Sequence, residues 1–481
     1  MNATVTMPLW LFVLLAVAGA WLLLERVFVP SVRWFFRRKV NRAIEEMNRR
    51  LRLELPPFKL NRRRVLIDRL CYDPEVLEAA HACAQAEGVP PAVVMERVRR
   101  YAAEICPSFN AYMYFRLGNW LARRLVRLFY WVRVVYADKQ AFLAMPPRAS
   151  LVFVINHRSN MDYLLAAYMA VRHAALSYAV GEWAQVWPLQ QLIRSMGAYF
   201  VRRGSGNELY RRVLARYVQM AVEGGIVQAV FPEGGLSRDG RLRPPKLGLL
   251  DYMVRGFDPH QERDIVFIPV GVNYDRVLED RTLQLEAQGG GPVPMAQAVA
   301  NACGFAWKNL RLAMRNDWRR FGYAALQFGR PLSLREWCVQ EQVDFRRGDR
   351  EQRFDVVARL AAVLMARIGA NVPVLSVPLL ALVAGAEPAR RFTAMELKAG
   401  VQARLDALRD GDARYLIYDA ASSFAVDAAL DMMCLRGLLL RDDDCFHANP
   451  AERDLLAYYA ASIAHLFESR TTEVGCGTAV C

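Results

Sequence analysis

The chain is 481 residues long and carries 63 Lys and Arg against 48 Asp and Glu, a formal charge of +15. With 54% hydrophobic and 23% charged residues it is not a wholly disordered chain, which would be polar and charge-rich. A polytopic transporter would need many apolar runs of about 20 residues, and there is one, at the start.

That run, Met7–Leu24, is eighteen residues without a charge. At about 1.5 Å per residue it nearly crosses a hydrocarbon layer of about 30 Å. No basic residue precedes it, and Arg26, Arg33, Arg37, Arg38, Lys39 and Arg42 follow. A secretory signal places its charge before the apolar stretch, whereas a basic flank is retained in the cytoplasm. Residues 1–30 therefore read as an uncleaved transmembrane anchor with the rest of the chain cytoplasmic. Residues 1–70 hold 14 Lys and Arg against 5 Asp and Glu, most of the basic surplus. Directly after an apolar segment, that charge points to anionic membrane lipids. A nucleic-acid partner is not expected, because no RNA- or DNA-reading motif accompanies the charge.

Residues 31–149 read as a basic juxtamembrane segment and a helical region. Asp73 or Pro74 opens a predicted helix, Pro90-Pro91 breaks it, and a second helix runs to about 105. Over 110–136 aromatic and aliphatic residues interleave with arginines, and Arg116, Arg123 and Arg127 share a helical face. The pattern suits a helix lying in a membrane interface, or an ordinary packed helix.

From 150 short apolar runs predict strands at 151–155, 198–201, 226–231, 265–272 and 324–329, with helices between the first three. Strands buried on both faces and separated by helices imply an α/β domain over 150–335, with a mostly parallel sheet flanked by helices. Residues 285–297 read as a surface loop. Residues 336–481 read as helical, with 371–387, interrupted by Pro373 and Pro378, a core or interfacial segment and 470–481 frayed. The nine cysteines include no CxxC pair and the six histidines no ligand spacing, so no disulfide framework, metal or cofactor is expected.

The chemistry sits at predicted strand ends, where open α/β sheets carry their sites. Asn156-His157-Arg158-Ser159-Asn160-Met161-Asp162 follows the strand at 151–155. A His and an Asp five apart do not share a helix face, but a turn followed by a first helical turn brings them together. Asp162 then fixes the tautomer of His157 and leaves its other nitrogen as a base, and no enzyme nucleophile is needed if the substrate brings a hydroxyl. Gly197–Arg203 ends the next predicted strand with Arg202 and Arg203, and Phe231–Arg238 ends the third with Glu233, Gly234, Ser237 and Arg238. Arginine forks bind phosphate, and glycines admit backbone N–H groups to an oxyanion.

In this order and spacing the blocks resemble the glycerolipid acyltransferase superfamily with its H-x4-D motif. The residues that carry the likeness are His157–Leu165, Gly197–Arg203 with Gly206–Tyr210, Phe231–Gly240 and Pro245–Gly248. They are most similar to the large bacterial membrane-bound glycerol-3-phosphate 1-acyltransferases. The resemblance implies that His157 deprotonates the acceptor hydroxyl and that Asp162 orients it. It implies that Arg202, Arg203, Glu233, Gly234, Ser237 and Arg238 bind the acceptor with help from Arg158 and Ser159, and that Pro269 lines the acyl-donor side. The implied donor is acyl-ACP or acyl-CoA, and the implied acceptor glycerol 3-phosphate, on the cytoplasmic face of a bacterial inner membrane. Leu236 stands where the family often has a base, which keeps lysophosphatidate or another lysophospholipid open as the acceptor. A non-catalytic lipid-binding protein is the remaining alternative.

Overall fold

The computed structural model describes residues 63–110, 113–170, 176–181, 189–202, 206–261, 263–289, 320–347, 349–409 and 423–474. The apolar run at 7–24 and most of the basic belt lie outside them. Among the described residues no helix is long and apolar enough to cross a membrane.

The described chain opens with α1 (Arg63–Cys71), α2 (Pro74–Glu87), α3 (Pro91–Ile105) and α4 (Asn119–Phe129). Asp73 caps α2 by accepting from the Glu75 N–H, and prolines start both α2 and α3, where their missing donor costs nothing. The α/β body follows as β1 (Trp131–Tyr136), α5 (Lys139–Leu143), β2 (Ser150–Ile155), α6 (Met161–Ala170), β3 (Ser177–Gly181), α7 (Leu189–Ser195), β4 (Tyr199–Val201), α8 (Glu208–Glu223), β5 (Gln228–Val230), α9 (Leu247–Val254), β6 (Ile265–Tyr274), α10 (Asp280–Ala287), β7 (Tyr323–Phe328) and β8 (Leu332–Ser333). The C-terminal part comprises α11 (Leu334–Glu341), α12 (Arg350–Ala370), α13 (Ser376–Ala386), β9 (Phe392–Thr393), α14 (Ala394–Arg409), α15 (Ser423–Leu435), β10 (Leu439–Asp442), β11 (Cys445–Ala448) and α16 (Arg453–Val474).

The main sheet runs β1-β7-β6-β2-β5-β3-β4, with β8 on β6. Its pairs are parallel except β6–β7 and β6–β8. β2 lies between β5 and β6 and is buried along its whole length. Its residues alternate: Leu151, Phe153 and Ile155 enter one core with α13 and α16, while Val152 and Val154 enter another with α8 and α12. The C-terminal helices therefore cover both faces of the sheet. Because β2 and β5 are parallel neighbours, the segments leaving their carboxyl ends emerge side by side.

Four readings change. Residues 131–136 form an edge strand, parallel to β7, instead of continuing a helix. Val132, Val134 and Val135 are β-branched, and the open edge of β7 supplies the ladder they favour. The sheet thus starts before 150. β3, which was not anticipated, sits between β5 and β4. The expected loop at 285–297 begins as the end of α10, and its part from 290 lies outside the described residues. Residues 470–474 continue α16, and 475–481 are not described. The segment at 371–387 packs as expected, with α13 buried on nearly all sides.

Asp275, just past β6, accepts from the Tyr323 and Val377 N–H groups. Burial outweighs those bonds and pushes its carboxyl up to about 6 from 3.8. The folded state therefore keeps a proton that the unfolded chain has lost, and this contribution to stability falls as pH rises from about 4 to 6. Asp275→Asn removes the titration. Between pH 4 and 7 the unfolding free energy of the variant should gain about 2 kcal/mol on that of the natural chain. Urea unfolding at both pH values measures the difference, and a constant gap would refute it.

Candidate active site

The site grows from the end of β2. Asn156 extends the strand with its side chain: Nδ2 donates to the Val272 carbonyl at 3.0 Å, and Oδ1 accepts from the Val272 N–H at 2.7 Å. The chain then turns, and Asp162 falls in the first turn of α6. His157 Nδ1 lies 2.9 Å from Asp162 Oδ2. The same oxygen accepts from the Arg158 N–H at 2.7 Å and the Ser159 N–H at 3.0 Å. Asp162 Oδ1 accepts from the Tyr274 hydroxyl at the end of β6. With a carboxylate as its partner, Nδ1 donates, so Nε2 is the nitrogen free to accept a proton. The imidazole stacks on Phe231 at 4.2 Å and meets the edge of Tyr163 at 5.3 Å. Burial and the neighbouring Asp162 push the Tyr274 hydroxyl well above its ordinary pKa, so it remains a donor.

The turn is held from several sides. Glu279 Oε2 accepts from the Ser159 hydroxyl at 2.6 Å, and Oε1 accepts from the Asn160 N–H at 3.2 Å. Glu233 Oε1 accepts from the His157 N–H at 2.8 Å, and Oε2 accepts from the Arg243 N–H at 2.9 Å. The N–H groups of His157, Arg158, Ser159 and Asn160 are thus all committed.

His157 lines a cavity of about 420 Å³. Its walls include the apolar side chains of Val180, Val201, Leu214, Leu249 and Leu364. Cationic groups come from Arg202, Arg211 and Lys246. Gly234 adopts φ +64°, and a Cβ there would lie 2.7 Å from Lys246 Cδ, so the glycine makes room for the lysine stem. Arg202 is bidentate to Glu104, at 2.9 and 2.6 Å, with its guanidinium beside the Tyr101 and Tyr210 rings.

The structure joins some expected site residues and removes others. His157, Arg202 and Gly234 share the cavity, and Asp162 touches His157. Arg203 lies outside the described residues. Arg158 is not a phosphate ligand: its guanidinium is buried, donating to the carbonyls of Gly240 and Ser462. Ser159 is bound to Glu279, and Glu233 uses both carboxylate oxygens on backbone, so these two position loops. Ser237 donates its N–H to the His157 carbonyl and its hydroxyl to the Arg241 carbonyl. That fixes the loop beneath the turn, and Arg238 leaves toward Glu286, 3.2 Å away, without lining the cavity. Pro269 is buried within β6, paired with Val154, and does not line it either.

Tyr274, Glu279, Lys246 and Arg211 were not among the expected site residues. Lys246 stood inside the Pro245–Gly248 block and was legible there. The other three reach the site only through the packing of β6, α8 and the segment before α10.

Two family models match the chain: "Acyltransferase" over residues 139–273 and "Glycerol-3-phosphate acyltransferase C-terminal region" over 307–471. The first match holds the whole His157–Asp162 turn and the Phe231–Arg238 loop. A glycerol-3-phosphate acyltransferase of Aeromonas hydrophila is 30% identical over 436 residues, 85% of this chain and 50% of that protein. One from Xanthomonas axonopodis pv. citri is 28% identical over 311 residues, 64% of this chain and 34% of its own length. The chain therefore spans half the length of the first relative and about a third of the second. Among solved structures, the 1-acyl-sn-glycerophosphate acyltransferase of Thermotoga maritima is 18% identical with a TM-score of 0.29, covering 56% of this chain and 83% of that one.

Proposed function

We propose that the chain transfers a fatty acyl group from an acyl thioester to the sn-1 hydroxyl of glycerol 3-phosphate, the first step of phospholipid synthesis. The observation that carries this is the His157–Asp162 pair, at 2.9 Å, set in a cavity with both cationic and apolar walls. His157 Nε2 takes the hydroxyl proton as the glycerol oxygen attacks the thioester carbonyl. The tetrahedral oxyanion collapses, the C–S bond breaks, and the thiolate recovers the proton from the imidazolium. The N–H groups of 157–160 are engaged, and that of Gly234 donates to the Phe231 carbonyl at 3.0 Å, so in the Gly234-Gly235 loop the Gly235 N–H is the donor assigned to the oxyanion. Lys246 supplies charge for the acceptor phosphate, the Arg202 fork being already held by Glu104, and the apolar wall receives the acyl chain.

The reading extends to the membrane. It places the chain on the cytoplasmic face of a bacterial inner membrane, anchored through residues 7–24. In support, α4 exposes Trp120, Arg124 and Leu128 along one face, with Trp131 exposed just beyond, an amphipathic surface suited to a lipid interface. The test is acylation by membranes carrying the full chain, supplied with labelled glycerol 3-phosphate or lysophosphatidate and a palmitoyl thioester. Labelled 1-acylglycerol 3-phosphate is the expected product. Acylation of lysophosphatidate alone would overturn the assigned acceptor.

A further inference from the structure

A second cavity, of about 400 Å³, adjoins the first and shares Arg211, Gly248 and Tyr252 with its lining. Its walls also carry Arg212 on α8, Arg255 just past α9, and Arg350 and Arg353 on α12. Five arginines thus stand against two carboxylates, Glu208 and Asp251. Asp251 is fully buried and holds Arg255 and Arg353, the latter at 2.9 Å. Arg211, Arg212 and Arg350 have no carboxylate partner among the described residues. Arg255 lies 4.8 Å from the centre of the Tyr252 ring and Arg350 5.5 Å from that of Phe354, so aromatic faces hold two of the forks. Like charges gathered in a concavity repel one another and raise the local potential, a cost to the fold that an anion relieves.

We propose that this cavity binds the nucleotide end of a coenzyme A thioester, with its phosphates on the arginine forks. The pantetheine arm then crosses the shared wall at Arg211, Gly248 and Tyr252 and presents the thioester to His157. The proposal rests on reading the first cavity as an acyl-transfer site and adds where the donor is held. A concave site of this volume, with planar bidentate donors, matches a small polyphosphate. An acidic carrier protein would instead need a broad docking face.

The test uses the full chain with Arg212→Gln and Arg350→Gln together. Both side chains are exposed, and neither lines the first cavity. The KM for palmitoyl-CoA should rise about tenfold or more, since each lost contact is a hydrogen bond to a charged group. The kcat should hold, and the KM for palmitoyl-pantetheine, which lacks the nucleotide, should match that of the natural chain. An unchanged KM for palmitoyl-CoA overturns the proposal. So does a rise confined to palmitoyl thioester carried on acyl carrier protein. Calorimetric titration with adenosine 3′,5′-bisphosphate separates this proposal from the reaction itself. Binding that the double variant weakens, without acyl transfer to any acceptor, keeps the site and removes the reaction. Transfer from palmitoyl-CoA without bisphosphate binding removes the site alone.

Discussion

Replacing His157 by Gln is expected to lower acyl transfer by about 10²–10⁴-fold, the usual contribution of a positioned general base. The imidazole is the group in the cavity whose proton-accepting nitrogen is defined by the structure, because Asp162 occupies Nδ1. Gln fills much of the same space against Phe231, which limits the cavity that His157→Ala would open there. Single-turnover rates with glycerol 3-phosphate and a palmitoyl thioester, with thermal unfolding as the control, make the measurement. The substrate KM values should change little. A variant within a few-fold of the natural rate would show that His157 is not the base.

Asp162→Asn is expected to cost about 10²–10⁴-fold while leaving the fold in place. Its two oxygens face different partners. Oδ2 meets three N–H donors, from His157 Nδ1, Arg158 and Ser159, whereas Oδ1 meets the Tyr274 hydroxyl. An asparagine fits in one orientation, with its oxygen toward the N–H groups and its amide toward Tyr274, whose hydroxyl then accepts. The hydrogen-bond geometry survives, but the negative charge that stabilises the imidazolium during proton transfer is lost. The variant should therefore unfold at nearly the natural temperature and react slowly, with kcat reduced and KM retained. Full activity, or loss of the fold together with activity, would each count against a role confined to orienting and stabilising His157.

Much of the site was legible because local sequence determines it. His157 and Asp162 meet across a turn of five residues, and such a turn needs only a strand end before it and a helix start after it. The strands at 151–155, 226–231 and 265–272 were legible because runs buried on both faces are nearly continuous in apolar residues. Residues 131–136 were not, because an edge strand is buried on fewer sides and its alternation with Arg133 imitates an amphipathic helix. The roles of single polar residues were the least legible. Glu233, Arg158 and Arg238 all looked like ligands, since a sequence shows a charge but not what neutralises it. Gly240 shows the scale of the difference. At φ +81° a Cβ there would lie 1.9 Å from the Tyr458 carbonyl oxygen, so the loop rests directly on the α16 backbone, over two hundred residues away in the chain.

The sequence by itself determined the α/β class, the strand ends that bear the chemistry, and the pairing of one histidine with one aspartate, because these depend on periodicity and short-range turns. Only the tertiary structure decided which charges face the cavity. Arg158 was drawn inward to the carbonyls of Gly240 and Ser462, Arg238 outward to Glu286, and Lys246 and Arg211 were brought to the walls. The physical reason is that an ionised side chain goes where its desolvation is best compensated, and the compensating carbonyls and carboxylates come from segments far away in the chain.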